Sequence, residues 1–495
     1  MLFNSGIFVF IYLPITMIGY LLCLRLPWGR AGIAWLGLAS LFFYGYWNPA
    51  FLPLLAISIT VNYFAGRMLD RSIWQGPQAG RKALLIAAIT ANLTTLAYFK
   101  YANFLSSSIG SATGIAMPIL DVVLPIGISF YTFTQIAYLA DTYGSGRSER
   151  SVLAYILFVT YFPHLIAGPV LHHSEMMPQF LRDQKNRLNP DTTIKGLLFF
   201  ACGLAKKVLI ADSVAASANR GFQLAELNQL GFADSWFSAL AYTVQIYFDF
   251  SGYSDMAVGL ALLFAIQLPL NFDSPYKARS ISDFWRCWHM TLSRFLRDYL
   301  YIPLGGNRHG PARRQINLML TMLLGGLWHG AAWTFVVWGG LHGLYLQINH
   351  SWRHLVENSA LLGGLVARHS RTVALLGWAL TFLAVVVAWV FFRAETFTAA
   401  IHLLSGMFSG TASIQAGLLD TRVLVYIALG LLIAFVCPNS QQSVAALSQR
   451  YAGANNAWGS PWRQGMTIGT LLFAVVALTI ISASRGTSEF IYFNF

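Results

Sequence analysis

The chain has 495 residues, of which 56% are hydrophobic, 15% aromatic and only 10% charged, with a formal net charge of +13. Soluble domains carry about 25% charged residues, so a water-soluble fold of this length lacks the polar surface it needs, and the composition points to an all-α integral membrane protein. The basic excess reads as membrane topology, and a nucleic-acid partner is excluded as the weaker reading because no basic stripe accompanies a soluble binding fold.

The bilayer core takes roughly 20 apolar residues per helix. Stretches of that kind run, in chain order, over Gly6–Leu24, Ala31–Trp47, Phe51–Ala65, Ala83–Phe99, Val122–Ala140, Val152–Val170, Gly196–Val214, Ser235–Leu268, Ile316–Leu346, Val373–Phe392, Val423–Val436 and Met466–Ser482. They are continuous runs without period-two alternation, which predicts helices and not a barrel. Some fall short of a full span and two exceed it, so the expectation is about ten to twelve crossings. The first stretch has no basic residue ahead of it and no small-residue cleavage pattern after it, and it reads as a retained first helix with its amino terminus outside. Arg25 and Arg30, then Arg67, Arg71, Arg81 and Lys82, then Arg147 and Arg150 follow alternate stretches. Simple alternation puts all three groups in the cytoplasm.

No low-complexity linker interrupts the chain, which reads as a single membrane domain over residues 1–495. The absence of self-similar halves with paired broken helices weighs against a secondary transporter. Cys23, Cys202, Cys287 and Cys437 are scattered singly, so neither a disulfide framework nor a zinc site is supported.

Tyr247–Met256 reads YFDFSGYSDM. Asp249 and Tyr253 are four apart and share a helix face. With Asp255, and with Trp328 further on, they are candidates for a supporting polar pocket. They either orient a histidine or hold a substrate hydroxyl, or else only satisfy one another; the structural reading stands slightly ahead. His164, beside a proline–glycine break, also reads as structural. The polar excursion Asn271–Arg314 is dense in arginine and aromatics. Within it Ser282–Leu300 reads as one amphipathic interfacial helix, with Phe284, Trp288, Leu292, Phe295 and Tyr299 at three- and four-residue steps and Arg286, Arg294 and Arg297 on other faces. Those three arginines are candidate contacts for a donor on the cytoplasmic side, with lipid anchoring the bland alternative.

His329 is the sharpest candidate. It stands in LLGGLWHGAAW, thirteen residues into the apolar run from Ile316, or roughly 20 Å along a helix. Polar groups at membrane depth are costly and mark function. Gly325, Gly326 and Gly330 allow close backbone approach or a locally broken helix. His289, in FWRCWH, is a second histidine that could converge on the same site. No Gly-rich phosphate loop, GxSxG elbow or HExxH is present, and neither His329 nor His289 has metal-ligand spacing to a second histidine. What remains is proton transfer by a neutral histidine from a hydroxyl held in line with an activated acyl donor.

Five stretches carry a family resemblance: LPIGISFYTF with QIAYLAD, FPHLIAGPVL, QIYFDFSGYSDMAVGLA, NFDSPYKARSISDFWRCWHMTLSRFLRDYLYIPLGGNRHG and LTMLLGGLWHGAAWTFVVWGGLHG, densest over about residues 242–346. They resemble the membrane-bound O-acyltransferase (MBOAT) superfamily, in its bacterial alginate O-acetylation branch. The resemblance implies a ring of about ten to twelve transmembrane helices with interfacial and re-entrant helices around a central passage. It places the family's two histidines on His329 and His289 as catalytic residues, with no metal and no permanently bound cofactor. Cys287 stands where the family carries a second arginine before the tryptophan–histidine pair. It further implies acetyl-CoA as acyl donor, a multi-pass location in the bacterial inner membrane with a periplasmic amino terminus, and O-acetylation of a polysaccharide such as alginate or cellulose. The acceptor is reached directly or through a periplasmic SGNH-type acetyltransferase, in association with a polysaccharide synthase complex. The competing expectations are a transporter of acyl donor or glycan that makes no bond, D-alanyl transfer to a cell-wall polymer, and a scaffold for a complex.

Overall fold

The computed structural model describes residues 1–182, 189–410, 418–452, 461–486 and 488–494. The fold is all-helical, with no strand among the described residues. Among the described residues five helices are long and apolar enough to cross a membrane: Phe8–Arg25, Pro49–Met68, Gln78–Thr113, Ser370–Arg393 and Arg463–Ser484. A sixth is possible if Thr421–Val436 and Ser440–Ser448, bent by 58°, count as one span.

Several of the other apolar stretches are divided, for local reasons. Val122–Ala140 becomes helical only at Ile128, because Pro125 and the left-handed Gly127 (φ 71°) precede it. Val152–Val170 stops after Thr160, just ahead of Pro163 and Gly168. The number of crossings expected from apolar runs is thus not a number of long unbroken helices.

The chain forms two compact units, each assembled from non-contiguous segments. The first comprises Met1–Leu204, Tyr253–Pro269 and Val444–Asn494. Its core is aromatic: Phe3, Phe8, Tyr12, Phe43 and Phe162 lie within 6.5 Å of one another, ring to ring, in a chain of contacts. Several of its buried polar groups are paired across helices, which lowers the cost of holding them in a dry interior. Asn62 and Asn92 exchange amide hydrogen bonds of 3.1 and 2.6 Å. The fully buried Arg81 donates to the carbonyls of Leu69 (2.8 Å) and Tyr143 (2.7 Å). His164 is held on the Phe158 carbonyl at 2.9 Å, the structural role expected of it.

The second unit comprises Ala205–Gly252 and Leu270–Ser443. Its centre is a helical hairpin made by Gly310–His329 and Trp333–Asn358. The two limbs run antiparallel: Gln347 donates to the Gln315 carbonyl at 3.0 Å near the open end. Near the tip, a Cβ on Gly326 would meet the Phe335 carbonyl oxygen and one on Gly339 the Met322 carbonyl oxygen. Glycine at both positions lets the backbones touch, the packing solution favoured inside membranes. The apolar run Ile316–Leu346 is therefore a folded-back pair, and its turn falls at Gly330–Ala332.

One expectation is corrected here. Ser282–Leu300 is not a single amphipathic helix but three short pieces, Ile281–Cys287, Met290–Leu296 and the π-helical Arg297–Tyr301. The break falls at Trp288–His289, where His289 adopts a left-handed conformation (φ 42°). Trp288, Leu292 and Phe295 are buried in the unit and not spread on a boundary layer. The apolar spacing was real, but a 3.6-residue period carries no information about one residue leaving the helical region.

Candidate active site

The site is built from two interrupted elements of the second unit. The first interruption frees backbone donors and acceptors that a continuous helix would satisfy, and the non-helical segment Asn271–Asp273 takes up two of them. The Asn271 carbonyl accepts from the Met290 N–H at 3.0 Å, and the Asp273 N–H donates to the Cys287 carbonyl at 2.9 Å. The Asn271 side-chain oxygen accepts from the Thr291 N–H (3.3 Å), the Thr291 hydroxyl (2.9 Å) and the His289 ring Nδ1 (3.0 Å). A left-handed conformation costs a residue with a Cβ about 1–2 kcal/mol, and this fully buried network offsets it.

The same network sets the chemistry of His289. The backbone N–H of Thr291 is an obligate donor, so the Asn271 atom it meets is the amide oxygen. That oxygen can only accept, so His289 Nδ1 carries the proton and Nε2 holds the lone pair. The ring is 0% exposed, and burial pushes its pKa from 6.5 down to about 3. His289 is thus held as one neutral tautomer, with Nε2 as a hydrogen-bond acceptor.

The second interruption is the hairpin tip. Helix Gly310–His329 ends at His329, and Gly330 turns away in extended conformation. A Cβ at Gly330 would run into the Phe335 ring, so the turn needs glycine there. His329 is 2% exposed. It lies edge-on to Trp328 (4.9 Å), Trp338 (5.0 Å) and Phe392 (5.2 Å). The His289 and His329 rings are 6.3 Å apart between centroids. Phe250 packs edge-on to His289 at 4.8 Å, and Trp328 lies 6.3 Å from the same ring.

Two imidazoles forty residues apart in the chain thus share one apolar, aromatic enclosure. Among the described residues no group of three or more His, Cys, Asp or Glu side chains is placed to hold a metal. The arrangement can move a proton between an alcohol and a ring nitrogen in surroundings that exclude water, where electrostatic effects are strong.

The other candidates separate. Asp249 (1% exposed side chain) forms an ion pair with Lys207 at 2.7 Å, and Lys207 also meets Asp212 at 2.8 Å, within the second unit. Its place is a buried charge cluster on the π-helical turn Lys206–Ala211. Tyr253 belongs to the first unit, where its ring stacks on Phe3 (4.8 Å) and packs on Phe490 (4.3 Å). Asp255 is half-buried in that same unit. Trp328 stands beside the histidines. Arg286 is 72% exposed and meets Asp283 at 3.5 Å, and Arg297 is held by its neighbour Asp298 at 2.7 Å. Arg294 is half-buried in Met290–Leu296.

Asn271, Trp338 and His342 are among the residues of the enclosure that go beyond the candidates named from sequence. Asn271 opens the NFDSPY stretch, and its signal was its place in that dense motif. Trp338 bridges His329 to a third fully buried histidine, His342, at 4.9 Å. The Trp285 indole N–H donates to His342 Nδ1 at 3.2 Å, which fixes that ring as an acceptor on that side.

The membrane-bound O-acyltransferase family model matches residues 82–394. A peptidoglycan O-acetyltransferase of Helicobacter pylori is 42% identical over 435 residues, covering 82% of this chain and 80% of the relative. A probable alginate O-acetylase of Pseudomonas putida is 38% identical over 510 residues and the full length of both chains. A teichoic acid D-alanyltransferase of Bacillus subtilis is 26% identical over 235 residues, covering 45% of this chain and 58% of the relative.

Proposed function

The chain belongs to the membrane-bound O-acyltransferase family and is a multi-pass membrane acyltransferase, and from that premise we propose that it carries an acetyl group from cytoplasmic acetyl-CoA to a hydroxyl of an extracytoplasmic polysaccharide. The acceptor is a glycan such as alginate or cellulose, or a periplasmic protein that passes the group on. The location is the bacterial inner membrane, with the amino terminus on the periplasmic side.

In this reading His329 takes the proton of the acceptor hydroxyl as its oxygen attacks the thioester carbonyl. The C–O bond forms, the C–S bond breaks, and the proton passes to the leaving thiolate. His289, with Nδ1 tied to Asn271, accepts a hydrogen bond at Nε2 and steadies the hydroxyl. General-base catalysis of this kind contributes typically about 10²–10⁴-fold, and holding both reactants in one enclosure adds to it. The single observation behind the reading is the pair of buried imidazole rings 6.3 Å apart. Relatives named as an O-acetyltransferase and a probable O-acetylase match over four-fifths of the chain or more, which favours acetyl over D-alanyl transfer.

Purified protein in detergent, given labelled acetyl-CoA and a glycan acceptor, tests the proposal. An enzyme transfers label without any membrane barrier, and His329→Ala lowers the rate at least 10²-fold while the protein accumulates normally. Absence of transfer by the wild type would point to a transporter, and an unimpaired His329→Ala variant would remove that residue from the mechanism.

A further inference from the structure

Away from the histidines, the second unit carries an open cleft of about 600 Å³ lined by Lys277, Arg279, Ser370, Arg371, Trp378 and Phe435 among others. Three cations and no carboxylate line it. Arg279 and Arg371 are exposed, and neither has an acidic side chain within ion-pair distance among the described residues. Arg371 occupies the first turn of the 24-residue helix Ser370–Arg393, whose amino terminus has no side-chain cap. A cation there opposes the helix dipole, so all of these groups favour a bound anion.

The cleft is held in shape. The backbone of Arg279 lies against that helix, where a Cβ on Gly377 would come within 2.7 Å of the Arg279 carbonyl. Lys277 donates to the Cys437 carbonyl at 2.6 Å. Trp378 donates to the Tyr276 carbonyl at 3.0 Å, and its ring meets Phe435 edge-on at 5.1 Å. Guanidinium pairs beside an aromatic floor suit a phosphate ester attached to a flat or apolar body. Tyr276, whose carbonyl takes the Trp378 bond, also stacks over Trp288 at 6.3 Å, the residue before His289.

We propose that this cleft is a phosphate-ester site, and that it takes the phosphorylated nucleotide head of the acyl donor. The donor clause rests on the acetyl-CoA reading above; the phosphate chemistry does not. An anionic phospholipid headgroup offers the same group.

The test uses the full chain in phosphatidylcholine nanodiscs and measures binding of coenzyme A to the wild type, Arg279→Gln, Arg371→Gln and the double variant. Each single change is expected to weaken binding about tenfold and the double more, with the wild-type affinity falling as salt rises. Acetyl-pantetheine, which has no phosphate, should be used equally well by all four, and His329→Ala should still bind coenzyme A. Retention of phosphatidylglycerol, read by native mass spectrometry, forms the second arm. If the arginine variants lose that lipid and keep coenzyme A, the site holds and its ligand is the headgroup. If they keep both, or lose acetyl-pantetheine as well, the proposal is overturned. A wild type that binds coenzyme A through these arginines yet transfers no acetyl would sink the transfer reading and leave the cleft standing.

Discussion

At the scale of single residues, Asn271 does the most with one side chain. Its amide oxygen meets three donors at a helix break and thereby sets which nitrogen of His289 carries the proton. Asn271→Ala leaves the His289 and Thr291 donors buried without that acceptor, each at a cost of about 1–3 kcal/mol. The variant should melt measurably earlier in a detergent thermal scan and lose at least tenfold in kcat. Protonation of His289 supplies a second check. Its folded pKa, near 3, lies below the 6.5 of the unfolded chain. The unfolded state therefore binds the extra proton between those values, and stability is lost as pH falls below about 6.5. The slope is roughly 1.4 kcal/mol per pH unit for one such group. His289→Gln should flatten the fall in melting temperature between pH 7 and 5 relative to wild type; an unchanged slope would show that the ring is not buried neutral. The sequence made both histidines visible, since each stands in a tryptophan-flanked motif. It did not make the role of Asn271 visible, because the contact spans eighteen residues and depends on a backbone conformation that histidine rarely adopts.

At the scale of elements, periodicity located the apolar segments and missed where they fold. The run from Ile316 to Leu346 contains no polar punctuation strong enough to mark a turn, yet it doubles back after His329. The glycines were the legible hint: Gly326 and Gly330 were read as permitting close approach or a break, and the structure uses them for both. The approach of the two limbs leaves no space at Gly326 or Gly339. Gly339→Val should push the limbs apart and displace the hairpin tip. The cost expected for overpacking is about 1–3 kcal/mol, with a loss of transfer activity larger than the loss of folded protein. Gly364, where an added Cβ meets nothing within 4 Å, should accept alanine with no effect on either readout. Asp249 shows the limit of local reasoning about helix faces. Its four-residue spacing to Tyr253 suggested a shared pocket, whereas its partner is Lys207, forty-two residues earlier on a π-helical turn.

At the scale of the whole molecule, composition alone established a membrane protein, because so few charged residues cannot clothe 495 residues in water. The motif-dense region about residues 242–346 contains both histidines. Lys277 and Arg279 of the basic cleft also fall in it, but no motif pointed to that cleft, which is completed by Arg371. The central claim is that His289 and His329 act as one unit on one proton. Rates of acetyl transfer by His289→Ala, His329→Ala and the double variant, measured in detergent under single-turnover conditions, address it directly. Groups that act together are strongly non-additive, so the double variant should be no slower than the worse single variant, with both singles at least 10²-fold below wild type. Transfer at the wild-type rate by the double variant, or losses that simply multiply, would contradict the account.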